Sequence, residues 1–309
     1  MNRPTRSSPE GRAYLDLQNR ARREKRGTQE FLTMYVVERW LARLSKSPYA
    51  EDFVLKGGML MATFGVRRPT VDADTLARNL PSDPEAVARR VVEIADMADP
   101  EDGLVFMTET VKTSIIRDQA RYSGVRVIMD ARLATARVSL HLDENFGDLV
   151  TPEPALVELP SLRGGSGPVR VLGYPIESVL AEKIVTAIDL GLANTRVRDF
   201  ADICLLIGQR GVLCGTLREA IDATARFREV PLIPLSEATA GLGDLRSAAY
   251  VAYRRGLGAT GSLLPELFTD AIAAAVEFTD PVLAGLDESY SWDPESHRWG
   301  TETVEAQNR

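Results

Sequence analysis

The sequence predicts an α+β protein: a small mixed sheet flanked by helices, followed by a helical C-terminal half. Three observations carry that expectation. Between about Leu104 and Phe146, the segments LVFMTETVKTSII, GVRVIMDARLA and ARVSLHLDENF are rich in β-branched residues and partly alternate apolar with polar. After Pro175 the apolar spacing becomes helical, in PIESVLAEKIVTAIDLG, RVRDFADICLLIGQRG and segments near 237–255 and 264–285. Upstream, DFVLKGGMLMATFG reads as a short strand (Phe53 to Leu55), a glycine turn and a short helix.

Taken in order, residues 1–50 form a helical lead-in. Its main helix runs from Thr28, a suitable N-cap, to about Ser45, with Phe31, Tyr35, Trp40, Leu41 and Leu44 on one stripe. Residues 51–170 make the α/β core. Within it RRPTVDADTLAR is extended, because Pro69 disfavours helix at Arg68. PEAVARRVVEIADMA is a helix opened by Pro84, burying Val87, Val91, Val92 and Ile94. In VSLHLD, Val138, Leu140 and Leu142 point one way, and Ser139, His141 and Asp143 the other. Gly147, Pro152, Pro154 and the GGSG at 164–167 read as one long connection. Residues 171–290 are the helical domain, expected to complete a nucleotide site, and 291–309 a polar tail around Trp292 and Trp299.

Composition narrows the function. Hydrophobic residues are 44% and charged residues 26%, as in ordinary globular domains, and no apolar run nears the roughly 20 residues that span a bilayer. The N-terminus lacks the apolar core of a secretory signal, and Cys204 and Cys214 do not make a disulfide framework, which points to the cytoplasm. His141 and His297 are too few for a histidine-rich zinc site. Net charge is −7, so nucleic-acid contact rests on local charge. Arg3, Arg6, Arg12, Arg20, Arg22, Arg23, Lys25 and Arg26 form a basic N-terminal arm, readable as a phosphate contact or as a solvated helical lead-in. Lysine occurs only at positions 25, 46, 56, 112 and 183, and two of these fall in the motifs below.

The first motif is Lys56-Gly57-Gly58 followed by Thr70-Val71-Asp72-Ala73-Asp74. Paired glycines let backbone approach a ligand, and Asp-x-Asp on an extended strand sets two carboxylates on one face, about 6–7 Å apart. Such a pair repels itself unless cations lie between, and Mg²⁺ takes carboxylate and phosphate oxygens together. Asp143, facing the same way as His141, supplies a third acid for clamping two cations in an in-line phosphoryl displacement. Glu144 and Asp148 are the alternative third acids, and Asp143 is preferred by side-chain parity. Lys183, followed by Arg196, Asp199 and Asp202, offers a mobile ammonium for a triphosphate, with Asp199 to orient it.

Together these residues resemble the nucleotidyltransferase toxins of the AbiEii/AbiGii and MenT type, within the DNA polymerase β-like superfamily. The resemblance spans about Phe53 to Leu206: FVLKGG, RRPT-x-D-x-D, LD-x-x-FGD-x-VTP, and YPIE-x-x-x-AEKI followed by RDF-x-D. It implies that Lys56, Gly57 and Gly58, with Arg68 and Thr70, contact the nucleotide. It further implies that Asp72, Asp74 and Asp143 hold Mg²⁺ and that Lys183 and Asp199 are required for activity. Relatives commonly carry a hydroxyl residue at or after the glycines, where this chain has Gly58 and Met59. The resemblance also implies transfer of a nucleotide from a nucleoside triphosphate to an RNA acceptor, the tRNA 3′ end in some members. Its setting would be a toxin–antitoxin or phage-defence pair whose antitoxin carries a DNA-binding domain, with no membrane partner. Two alternatives stay open: transfer to a small molecule or protein, and a non-catalytic nucleotide-binding module.

Overall fold

A computed structural model describes residues 4–70, 72–117 and 123–301. The chain divides into two compact units. Unit 1 takes in residues up to 63, 67–148 and 155–173; unit 2 takes in 64–66, 149–154 and 174 onward.

Unit 1 opens with α1 (Pro9–Arg23) and α2 (Thr28–Leu44). Ser8 caps α1, and Ala13, Leu17 and Ala21 bury one side of it, so much of the basic arm is a packed helix. Several of its charges are locally paired: Arg20 with Glu24, Arg26 with Glu30 and Arg6 with Asp16. Arg3 lies outside the described residues. The N-cap of α2 is Gly27 rather than Thr28, and no side chain caps it. Helix α2 is buried along most of its length, including Trp40, whose ring meets Phe53 edge-on.

The sheet has seven strands: β1 (Phe53–Lys56), β2 (Ala73–Ala77), β3 (Leu104–Arg117), β4 (Ser123–Leu133), β5 (Ala136–Phe146), β6 (Ala155–Leu159) and β7 (Val169–Gly173). Their spatial order is β3-β4-β5-β2-β1-β7-β6. Neighbours pair antiparallel except β2 with β5 and β1 with β7. The expected long connection over 147–168 therefore contains a strand, β6, which pairs with β7 at the sheet edge. Its sequence, ALVEL, is short, and Leu156 is 73% exposed, so it lacks a clean apolar face to announce it.

Helix α3 (Gly57–Leu60) follows β1, and α4 (Pro84–Ala95), capped by Asp83, precedes β3. Val87, Val91 and Ile94 of α4 are buried with Ala95 rather than Val92. Helices α2 and α4 pack together against the sheet, α2 on β5 and β7 and α4 on β3 and β4. Along β5, Val138, Leu140, Leu142 and Glu144 are buried and Ser139 and His141 half-exposed, as the alternation predicts, but Asp143 on the polar face is buried as well. Between α2 and the 97–104 loop lies a buried ion pair: Arg43 donates to Asp102 at 2.6 Å and also to the Met97 carbonyl at 2.8 Å.

Unit 2 holds α5 (Ile176–Leu190), α6 (Val197–Ile207), α7 (Cys214–Arg228), α8 (Leu235–Ala238), α9 (Leu242–Gly256) and α10 (Phe268–Leu283). Residues 291–300, read from sequence as polar tail, form a hairpin. Its strands β9 (Ser291–Asp293) and β10 (Arg298–Gly300) extend a small sheet from β8 (Val212–Leu213). Trp292 is buried and donates to the Ile207 carbonyl; Trp299 stacks on Phe278. Residues 302–309 lie outside the description.

Candidate functional site

Four strands of unit 1 set charged side chains in one transverse row. Lys56 of β1 is the register partner of Asp74 in β2, Asp74 of Asp143 in β5, and Asp143 of Arg126 in β4. Register partners on adjacent strands share a face, about 4.8 Å apart between strands. The order of charge along the row is base, acid, acid, base. Arg126 holds Asp143 with both prongs, Nε to Oδ1 at 2.7 Å and Nη2 to Oδ2 at 2.6 Å. That hydrogen bonding, joined by the fields of Asp143, Asp72 and Asp74, raises Arg126 above its ordinary pKa despite partial burial. All three predicted acids thus act on a single guanidinium.

The glycine turn closes this row from below. Gly57 has φ +64°, a left-handed conformation that L side chains rarely adopt. A Cβ there would lie 1.9 Å from Asp74 Oδ2, so the carboxylate occupies the space that the missing side chain leaves. A Cβ on Gly58 would lie 2.6 Å from Thr70 Oγ1 and 3.3 Å from Arg68 Nη1. Thr70 in turn donates to Asp72, at 3.0 Å to the carboxylate and 3.1 Å to the carbonyl. The structure therefore brings together Gly57, Gly58, Arg68, Thr70, Asp72, Asp74 and Asp143, with Lys56 in the row. One expectation needs correcting. Asp72 sits in a bend and β2 begins at Ala73, so the Asp-x-Asp pair is not wholly within a strand. The Thr70 hydrogen bonds, rather than a sheet ladder, hold Asp72. Val71 lies outside the described residues.

The alternative third acids each have another partner. Asp148 accepts from Lys56 Nζ at 2.6 Å. Glu144 belongs to the opposite face, fully buried, where it accepts a hydrogen bond from its register partner Thr75. Burial chiefly, then the charges of Asp143 and Asp74, push its carboxyl up to about 8, while the Thr75 hydrogen bond pulls it down. It is a neutral acid at pH 7.

In unit 2, Lys183 of α5 reaches two acids of α6, Asp199 at 2.9 Å and Asp202 at 2.8 Å. Arg196 adds a second cation to Asp199 at 2.6 Å. Asp199 is 3% exposed. Burial alone would raise its carboxyl, but Lys183 and Arg196 overcome that and hold it at about 2. Arg126 is the functional candidate that sequence reading missed. Its signal was a charge between two valines in the apolar stretch GVRVIM, on the same face as Ile128.

The donor set suits a hard divalent cation: carboxylate oxygens, with Asp74 seated in a cradle that a Cβ would fill. Among the described residues no three acids converge at ligand distance, and Arg126 engages both oxygens of Asp143. His, Cys and softer ligands are absent from the row.

Comparison with known proteins supplies the family. Residues 39–277 match the family model described as nucleotidyl transferase AbiEii toxin, type IV TA system. The chain belongs to the AbiEii nucleotidyltransferase toxin family. It is thus a toxin nucleotidyltransferase by family. Among solved structures, a candidate nucleotidyltransferase from Helicobacter pylori shares the fold, with TM-score 0.50 and 16% identity over 84% of this chain and 99% of that one. MenT4, a nucleotidyltransferase toxin from Mycobacterium tuberculosis, aligns with TM-score 0.48 and 18% identity over 89% of this chain and 97% of that one. No curated protein matches by sequence. Among the described residues no helix is long and apolar enough to cross a membrane.

Proposed function

We propose that this AbiEii protein transfers a nucleotide from a nucleoside triphosphate to an RNA acceptor, the tRNA 3′ end, with Mg²⁺, using the acid row of unit 1. The observation that carries the reading is the pairing of Asp74 with Asp143 across β2 and β5, directly over Gly57. Two carboxylates set side by side on one sheet face, against a turn stripped of side chains, suit a polyphosphate with its cations and suit little else.

Asp72, Asp74 and Asp143 are the residues that would hold divalent ions. When bound, such ions supply charge neutralisation for the attacking and leaving oxygens of an in-line displacement. The chain's own groups do the rest. Gly57 and Gly58, lacking side chains, leave room for Asp74 and Thr70 to seat against the turn, and Thr70 orients Asp72 through its hydroxyl. Arg68, against Gly58, and Lys56, at the end of the row, offer cations to the triphosphate. Asp143 is the acid assigned to the acceptor hydroxyl and takes its proton as that oxygen bonds to the α-phosphorus, the bond from the α-phosphorus to the bridging oxygen breaks and pyrophosphate leaves. Lys183 and Asp199 are assigned as residues required for transfer; Asp199 stays ionised at any physiological pH and so fixes the charge beside Lys183. The biological setting assigned is a toxin–antitoxin or phage-defence pair with a DNA-binding antitoxin.

The test is incorporation of labelled nucleotide into total RNA, each NTP in turn, with and without Mg²⁺. Label should enter tRNA only with the metal, and Asp72→Ala, Asp143→Asn and Lys183→Met should each cut the rate at least about a hundredfold. Label entering a small molecule or protein would replace the acceptor. Nucleotide binding without turnover, unaffected by Asp143→Asn, would refute the enzymatic reading.

A further inference from the structure

The base at the open end of the row has no assigned work. Arg126 lies on β4, directly beside Asp143, and its side chain is 40% exposed against 11% for the acid it grips. Lys56, at the other end, has an acid of its own in Asp148, at 2.6 Å. Arg126 is therefore the cation that answers the negative charge of Asp143. It does so with a planar fork whose two parallel N–H bonds fit a phosphate as well as a carboxylate. Both oxygens of Asp143 are engaged, so the same guanidinium stands where a divalent ion would need them.

We infer that Arg126 is an exchangeable counter-ion. Its guanidinium neutralises Asp143 while no triphosphate is bound, and passes to the phosphates when one enters, freeing the carboxylate. The inference rests on the acid row being a polyphosphate site. The consequence is mutual dependence: a divalent ion alone binds weakly because it competes with an internal cation, and polyphosphate removes the competitor. A merely structural cross-strand pair would give the opposite sign for metal, since loss of a support loosens a site.

The experiment uses the full chain without nucleotide and measures Mn²⁺ affinity by electron paramagnetic resonance, with inorganic tripolyphosphate plus Mg²⁺ as a base-independent probe by calorimetry. Arg126→Gln should bind Mn²⁺ roughly five- to tenfold tighter and tripolyphosphate roughly tenfold weaker. Arg126→Lys, which keeps the charge but loses the fork, should fall between on both. In an Asp143→Asn background Arg126→Gln should lose most of its effect on Mn²⁺. If Arg126→Gln leaves Mn²⁺ affinity equal or weaker while Asp143→Asn weakens it, the counter-ion is overturned and the acid site stands. If Asp72→Asn and Asp143→Asn both leave Mn²⁺ affinity unchanged, the site reading itself falls. Circular dichroism melts check folding, and should Arg126→Gln fail to fold, Arg126→Lys with tripolyphosphate decides alone.

Discussion

Replacing Glu144 with glutamine should remove most of the pH dependence of stability expected of the wild-type chain between about pH 5 and 8 in metal-free buffer. The carboxyl is pushed up to about 8 from 4.5, by burial first and then by Asp143 and Asp74, against the pull of the Thr75 hydroxyl. At pH 7 the unfolded chain carries it ionised and the folded chain carries it protonated, so folding must take up a proton. A raised folded-state pKa gives stability that is whole below the unfolded value and is lost as pH climbs through the folded one. The loss runs at about 1.4 kcal/mol per pH unit, reaching roughly 3 kcal/mol at pH 7 and levelling off above pH 8. Asp199, held at about 2, changes charge only in acid and leaves this window undisturbed. Glutamine cannot ionise, so the Glu144 share of the slope goes, leaving that of Glu177, whose carboxyl burial also raises. The gain at pH 7 should be smaller than 3 kcal/mol, roughly 1–2, because Glu144 Oε1 is buried without a hydrogen-bond partner and an amide there would be unsatisfied. Urea unfolding followed by circular dichroism at half-unit steps from pH 5 to 8.5 reads the slope. Parallel stability curves for the two proteins would refute a neutral Glu144.

Gly57→Ala should both destabilise the chain by at least about 2 kcal/mol and nearly silence nucleotide transfer, because the new methyl meets Asp74 Oδ2 in a backbone conformation already strained for alanine. Thermal melts beside the incorporation assay check it; an active, stable variant would show that the turn is more pliable than its geometry. Asp102→Ala should cost about 3–5 kcal/mol, since Arg43 would stay buried with its charge unanswered, yet should leave the chemistry of folded molecules intact. Urea midpoints and rates per folded molecule separate those two effects.

The parts of the site written locally were legible in the sequence. The turn at Gly57 follows from two glycines between an apolar strand and a helix, and Asp143 could be placed from the alternation of Val138, Leu140 and Leu142 alone. The parity that favoured Asp143 over Glu144 is seen in the structure, where the two face opposite ways. What depends on distant partners was not legible. Nothing in TVDADTLA announces that it pairs parallel with a strand some seventy residues on, and without that pairing Asp74 and Asp143 are two unrelated acids. The β9–β10 hairpin was hidden for the same reason: Trp292 reads as a stray aromatic in polar surroundings until Val212 is known to lie beside it. Asp72 fell just outside the expected strand because Thr70 gives it a local partner instead.

The pairing of β2 with β5 also guards against its own failure. Sliding one strand a single position would turn Asp74 inward, beside Glu144, and send Thr75 out among the acids. That arrangement would bury a full negative charge with no cation at hand, a penalty of several kcal/mol. A chain that misaligns here is therefore less stable than one in the native register. In the molecule, correct folding and an intact carboxylate pair are one event.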